Sequence, residues 1–425
     1  MILILKSKNP YFLDILHKNP NTDEGLYCTS LKDGVLIGNC VSANEYHCVF
    51  QDTKHSYMPE EGNPIDYQSY CSPLLALNIG TEFFNHLYKE NTQLNATVIS
   101  WLDKTYADVD TVPATIEVPT FFLDSGWYKN GNFLLSKYID GITLTPKRGN
   151  NYTLFVEGNS VREAFQKFSL VALFCHFTNK YSVHTFIDDY FIQKHVTNLT
   201  NIKNVPYFVY YLFIKRLMRS PKQFEQFKPQ LEAYFDNRIQ FLFTDTHQSR
   251  KEFICDKISH DEPVLDFGCG EMQYFRSLMK KGYRNDYWAY DEVDYEATAN
   301  KIMEIERVDN LNWVSDVDSL KGFSGQVILS EVIEHNTLEE AKKLLVWIKE
   351  NVSFTQLFIT TPNSDFNVNY EMTEEFRHDD HDFEFNREEF VTFVGEIFPN
   401  RMEYSGIGDC VNGVHPTSAM IVYAN

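Results

Sequence analysis

From about residue 245 onward, short apolar runs of strand length alternate with stretches of helical spacing, and this alternation limits the possible fold more than any other feature of the chain. Strand-like runs fall at 263–267, 287–290, 312–314, 327–329, 357–361, 401–405 and 419–423. Helix-like stretches separate the first five, among them 337–351, where Glu339 and Glu340 precede Lys342 and Lys343. The pattern predicts an α/β domain, with a Rossmann-like, mostly parallel sheet of seven strands and helices on both faces. Ligands of such sheets sit beyond the carboxyl ends of the strands, so the residues that follow each run are the candidates for chemistry.

The first run ends in Val264-Leu-Asp-Phe-Gly-Cys-Gly270 and leads into a helix-like stretch. Gly268 and Gly270 allow a sharp turn and a close approach of backbone to ligand at a helix N-terminus. Gln273 stands where G-x-G-x-x-G would need its third glycine, so the dinucleotide fingerprint is absent. With Asp266 two residues ahead, D-x-G-x-G instead resembles the first motif of class I, S-adenosylmethionine-dependent methyltransferases. Asp291 ends the next run and is placed to bind the ribose hydroxyls of a nucleoside. Asp316, after the third run, is placed to meet an adenine amino group. The competing reading is a glycine-rich turn with no ligand; acids in register at three successive strand ends argue against it.

After the fourth run comes Glu331-Val-Ile-Glu-His335. On a helix, Glu331, Glu334 and His335 would share one face, and two carboxylates with an imidazole suit Mg²⁺ or Mn²⁺. The same segment also resembles its counterpart in metal-free class I methyltransferases. Thr361-Pro-Asn-Ser-Asp-Phe-Asn367 ends the fifth run, and residues 376–390 then pack two histidines among many acids. His381 would complete a four-ligand set with Glu331, Glu334 and His335. His378 competes, as a ligand or as a base. A surface or hydrogen-bonded core histidine is the plain alternative for each.

Taken together, E-V-I-E-H, T-P-N-S-D-F-N and R-H-D-D-H-D-F-E-F-N-R-E-E-F resemble the RNA 3′-terminal ribose 2′-O-methyltransferases. That family includes the small-RNA methyltransferases of eukaryotes and a bacterial RNA-repair branch. The chain departs from the family pattern at Met272, Asn336, Phe385 and Asn386. The resemblance implies metal-dependent methyl transfer from S-adenosylmethionine to the 2′-OH of the last nucleotide of an RNA, marking or protecting repaired ends. Asp266, Gly268, Gly270, Asp291 and Asp316 would bind the cofactor, and His335 or His378 would take the proton. A metal-independent O-methyltransferase for a small hydroxylated molecule is the alternative, although it leaves the 378–385 loop unexplained. A non-catalytic scaffold is a third reading.

Residues 1–240 form a separate α+β module ahead of the methyltransferase domain at 245–425, mixed β and α to about 150 and helical beyond. Strands are predicted at the start of the chain, at 34–38 and at 114–122; helices at 72–88, 161–177, 207–219 and 223–243. The stretches 12–20, 70–79 and 160–189 resemble the amino-terminal module of the bacterial branch, which implies a kinase–phosphatase–ligase repair partner. The formal charge is −21, and residues 251–425 hold about 15 Lys and Arg against about 34 Asp and Glu. Such a surface disfavours non-specific duplex binding but leaves open an enzyme that grips an RNA 3′ end. Eight scattered cysteines, no membrane-length apolar run and no signal-peptide pattern suggest a soluble protein of the reducing cytoplasm.

Overall fold

The computed structural model describes residues 1–18, 25–31, 34–52, 73–123, 127–129, 131–178, 189–370, 376–399 and 401–424. Parts of the stretches named above, namely 19–20, 70–72 with Cys71, and 179–188, lie outside the described residues. The chain divides into two compact units, Met1–Tyr234 and Phe235–Asn425.

The first unit is built on an antiparallel sheet. Its strands are β1 (Ile2–Ser7), β2 (Gly25–Leu31), β3 (Gly34–Ser42), β4 (Glu45–Asp52), β5 (Ala114–Phe122), β6 (Ile142–Pro146) and β7 (Asn151–Gly158), in the order β6-β7-β5-β1-β4-β3-β2. Alternating burial along β1 and β7 marks one face turned to the core. The helix α1 (Val161–Thr178) is buried along almost its whole length and packs on β7. It is joined by α2 (Asp189–Asn201), α3 (Tyr207–Leu217) and α4 (Pro221–Tyr234). Strands thus end at Gly158, and helices follow from Val161 to Tyr234.

Two expected helices differ. The predicted helix at 72–88 is one turn and a half of α-helix (Pro73–Asn78), then a π-helical turn (Ile79–Phe83) and a 3₁₀ turn (Asn85–Leu87). The helix expected over 223–243 stops at Tyr234, because Asp236 and Asn237 take the left-handed conformation and Ile239–Gln240 pairs with Cys410–Val411.

The second unit holds the predicted seven-stranded sheet: β8 (Val264–Phe267), β9 (Tyr287–Tyr290), β10 (Leu311–Val314), β11 (Ser324–Ser330), β12 (Ser353–Pro362), β13 (Met402–Ile407) and β14 (Thr417–Tyr423). Their order is β10-β9-β8-β11-β12-β14-β13, with β14 alone running against the rest. The order reverses between β8 and β11, which opens a crevice at their carboxyl ends. Both faces are buried. One carries Leu265, Phe267, Val327, Leu329, Leu357 and Ile359, the other Val264, Ala289, Ile328, Phe358 and Ile421. Helices α5 (Thr246–Lys257), α6 (Gln273–Lys280), α7 (Glu296–Glu306), α8 (Leu338–Asn351) and α9 (Arg387–Ile397) cover them. Both α8 and α9 begin with a reciprocal capping box, Thr337 with Glu340 and Asn386 with Glu389, which fixes where each loop from the sheet edge ends. No helix among the described residues is long and apolar enough to cross a membrane.

Candidate active site

The turn after β8 is set by backbone. Gly268 has φ +80°, and a Cβ there would meet Val332 Cγ2 at 2.4 Å. Gly270 is also left-handed, at φ +48°, but faces open space. The amides of Gly268 and Cys269 both donate to the Tyr290 carbonyl, at 2.8 and 3.0 Å. Asp291 closes the turn: its Oδ2 accepts from the Gly270 amide at 2.9 Å and its Oδ1 from the Val293 amide at 2.9 Å. Asp316 lies exposed on the same edge, where its Oδ1 accepts from the Asp318 amide at 3.1 Å and caps a 3₁₀ turn.

Asp266 takes a different place from the other acids. Only 1% exposed, it accepts a hydrogen bond from the Tyr287 hydroxyl. Burial raises its pKa to about 7, against the opposing pull of the Tyr287 hydrogen bond, and the Asp291 charge raises it further. Its carboxyl is enclosed beneath the turn and positions β8 against β9, whereas Gly270 borders the open crevice.

The expectation that Glu331, Glu334 and His335 converge on one face of an α-helix is corrected. Glu331 has φ +55° and directly follows β11, with its amide bound to the Thr360 carbonyl at 3.0 Å. Only a three-residue 3₁₀ turn, Ile333–His335, follows. The left-handed residue swings Glu331 away from the other two. Its Oε2 lies 2.8 Å from Arg250 Nη1 and its Oε1 accepts from the Thr360 hydroxyl at 3.1 Å.

Glu334, His335 and His381 do come together, each offering a ligand atom within 4.8 Å of the others. The loop that carries His381 is pinned to the Glu334 segment, since the Asp382 amide donates to the Glu334 carbonyl at 2.8 Å. His335 Nδ1 faces the Asp380 carbonyl at 3.1 Å, and the His335 and His381 ring centroids are 4.9 Å apart. Glu334 is fully buried. Its Oε2 accepts from the Thr361 hydroxyl at 3.2 Å, while its Oε1 has no hydrogen-bond partner. Desolvation, and then the charge of Glu331, push its pKa well above the usual carboxylate range. An orphaned, buried carboxylate oxygen beside two imidazoles is the donor set and the electrostatic deficit that a divalent cation would satisfy. The residues present fit such an ion.

Several participants escaped the sequence reading. Glu384 Oε1 accepts from His381 Nδ1 at 2.8 Å, which leaves Nε2 as that ring's ligand atom. The same carboxylate takes the Arg377 amide at 2.7 Å and the Asn367 side-chain amide at 2.7 Å, so that its pKa is drawn down despite desolvation, the largest influence. Its spacing of three residues from His381 was the one readable signal. Tyr274, Ser330 and Thr360 link their hydroxyls at 2.7 and 2.8 Å, a chain that joins the helix after the glycine turn to Glu331. A cavity of about 410 Å³ adjoins the cluster, lined by Arg250, Glu331, Tyr370, Arg377 and His378 among others. His378 is thus a cavity residue outside the three-residue cluster, its ring centroid 5.1 Å from that of His381.

The chain as a whole is similar to several known proteins. Residues 2–236 match the family model described as the Hen1 N-terminal domain. A chain in the solved structure of the Pnkp1/Rnl/Hen1 RNA repair complex is 44% identical, with TM-score 0.88 and full coverage of both chains. A second structure of the Pnkp1/Rnl/Hen1 complex gives 43%, 0.86 and the same coverage. The small RNA 2′-O-methyltransferase of Drosophila melanogaster is 28% identical over 170 residues, 34% of this chain and 43% of that protein. That of Caenorhabditis elegans is 42% identical over 76 residues, 17% of this chain and 16% of that protein. The chain therefore spans less than half the length of these relatives. The strand order of the second unit, with one antiparallel strand near its edge, is that of the class I methyltransferase fold. With more than half of its length matched by the family model, and with the repair-complex chain aligned end to end, the protein belongs to the Hen1 family, the one its motifs had indicated.

Proposed function

We propose that this protein methylates the 2′-oxygen of the 3′-terminal ribose of an RNA, drawing the methyl group from S-adenosylmethionine. The observation that carries the reading is the Glu334, His335 and His381 cluster beside the crevice, with one carboxylate oxygen buried and unpaired. Gly268, Gly270 and Asp291 would cradle the cofactor's nucleoside, with Asp316 beside its base, and Asp266 would hold the turn from below. Glu334, His335 and His381 would hold Mg²⁺ or Mn²⁺, and Glu331 would become the fourth ligand once released from Arg250. Such a cation would supply the acidity that lowers the pKa of a ribose hydroxyl beside it. The rest falls to the chain's own groups. The glycine turn orients the sulfonium methyl in line with the 2′-oxygen, and His378, at the cavity wall, accepts the hydroxyl proton. The S–CH₃ bond breaks as the O–CH₃ bond forms, and S-adenosylhomocysteine leaves.

Only a 3′ end presents a 2′,3′-diol, so this geometry selects termini over internal sites. The likeness to the Pnkp1/Rnl/Hen1 structures supports a kinase–phosphatase–ligase partner and a task of protecting repaired RNA ends. Seven free cysteines among the described residues support a reducing, cytoplasmic setting. The test is transfer from labelled S-adenosylmethionine to RNAs ending in a free diol or in a 2′-deoxynucleotide, with and without Mn²⁺, and to catechol as a small-molecule control. Transfer to the diol alone, and only with Mn²⁺, is expected. Metal-free methylation of catechol would overturn the reading.

A further inference from the structure

The first unit carries an unusual edge. Trp101 is 52% exposed, yet its indole is held in place by a 2.6 Å hydrogen bond from Nε1 to Asp14 Oδ1. His17 meets it edge-on at 5.2 Å and stacks on His86 at 3.8 Å, with 7° between the ring planes. Both imidazoles are anchored, His17 Nε2 to the Tyr106 hydroxyl at 2.8 Å and His86 Nε2 to the Ile15 carbonyl at 3.0 Å. Lys18 and Lys89 are the charged neighbours of both rings. Among the described residues neither lysine has an ion-pair partner: Lys18 Nζ sits 3.4 Å over the Phe83 ring, Asp14 is engaged by Trp101, and the nearby Glu90 faces Gln93 at 3.4 Å.

We propose that His17, His86, Trp101, Lys18 and Lys89 form a binding face for single-stranded RNA, which stacks a base on Trp101 and places backbone phosphates against the two lysines. The inference rests on the reading of the protein as acting on RNA. A fixed, exposed ring such as Trp101 beside a cation without an ion-pair partner is what a single strand needs, because every base has a π-face and every link a charge. Lys89 is the exposed cation of the pair, whereas Lys18 is half-buried over Phe83, which draws its pKa down to about 8. Burial, and then the charges of Lys18 and Lys89, keep the His17 pKa below its ordinary value, while burial, His17 and the two lysines bring that of His86 down to about 3, so both stack as neutral rings.

The experiment is fluorescence anisotropy of the full chain with a labelled 20-nucleotide single-stranded RNA over a range of salt. Trp101→Ala should weaken binding about tenfold, within the ~1–3 kcal/mol of one stacked base. Trp101→Phe retains a ring without the Asp14 bond and should stay within about threefold, which separates stacking from folding. Lys18→Gln with Lys89→Gln should flatten the slope of log Kd against log salt by roughly 1.4, two single-strand phosphates' worth. Unchanged RNA affinity in folded Trp101→Ala and in the double lysine variant would overturn the proposal. So would intact RNA affinity together with lost capture of the kinase–phosphatase–ligase partner, which would make the face a protein contact. Because anisotropy does not depend on methyl transfer, failure of the methyltransferase reading would appear separately, as RNA bound but not modified.

Discussion

Arg250 Nη1 lies 2.8 Å from Glu331 Oε2, an ion pair formed between α5 and the end of β11. It keeps Glu331 outside the cluster of Glu334, His335 and His381. It also places a cation where two carboxylates would otherwise face each other. Arg250→Gln should therefore destabilise the metal-free protein by about 2 kcal/mol, below the ~3–5 for a fully buried pair because the Glu331 side chain keeps 22% exposure. The freed Glu331 should then favour a divalent cation. Thermal unfolding with and without Mn²⁺ checks this: the rise in Tm on adding Mn²⁺ should be larger in the variant than in the wild type. Equal rises would mean that Arg250 does not restrain Glu331.

Glu334→Gln and His381→Ala should each abolish Mn²⁺ binding by calorimetry and lower methyl transfer by at least about a hundredfold, from loss of one of few ligands. S-adenosylmethionine binding should stay within about twofold, since the glycine turn shares no hydrogen bond with either residue. Retained Mn²⁺ binding in both variants would remove the metal centre from consideration.

Glu384→Gln tests orientation. The amide can no longer serve as a full carboxylate partner for His381 Nδ1, the Arg377 amide and the Asn367 side chain together. A fall in Mn²⁺ affinity of roughly 10–100-fold is expected. Mn²⁺ electron paramagnetic resonance titration reads it directly. An unchanged affinity would leave Glu384 with only a loop-holding role.

The two glycines of the cofactor turn should separate. Gly268→Ala meets both a left-handed φ and Val332 Cγ2 at 2.4 Å, so it should lower Tm as well as cofactor affinity. Gly270→Ala meets only the φ, about 1–2 kcal/mol, and projects its methyl into the open crevice. It should therefore weaken S-adenosylmethionine more than it weakens the fold. Calorimetry and thermal unfolding on both variants would expose the reverse order, if it held.

Asp266 gives a pH signature. Its folded pKa, raised to about 7, exceeds the ordinary ~3.9 of the unfolded chain. Between those values the folded state holds the extra proton, so stability falls as pH rises from about 4 to about 7 and is then level. Asp266→Asn should remove this slope and be relatively more stable than wild type at pH 8 than at pH 5. Urea unfolding at the two pH values measures it, and parallel curves would contradict the assignment.

How far the sequence reached depends on the kind of contact. The seven strands of the second unit were readable because each is an apolar run bounded by polar or glycine breaks, and Gly268, Gly270 and Asp291 follow strand ends directly. Glu331 was misplaced because E-V-I-E-H has helical spacing, whereas β11 runs up to Ser330 and hydrogen bonding to Thr360 holds Glu331 in a left-handed turn. Asp266 looked like a ligand from its motif. Its enclosure follows from Tyr287 on the neighbouring strand, which the motif does not contain. Arg250 was invisible because its partner is joined to it only by the closing of the sheet.

The hydrogen bond from the Asp382 amide to the Glu334 carbonyl bears on the order in which the protein matures. On a ribosome, the glycine turn and Asp291 emerge well before residues 376–385, and strand β12 must be laid down between them. Closing the long intervening segment carries an entropic cost that only the finished sheet repays. The cluster of Glu334, His335 and His381 can therefore assemble only once residue 382 has joined the finished sheet, later than the strand ends that carry Gly268 and Asp291 are synthesised.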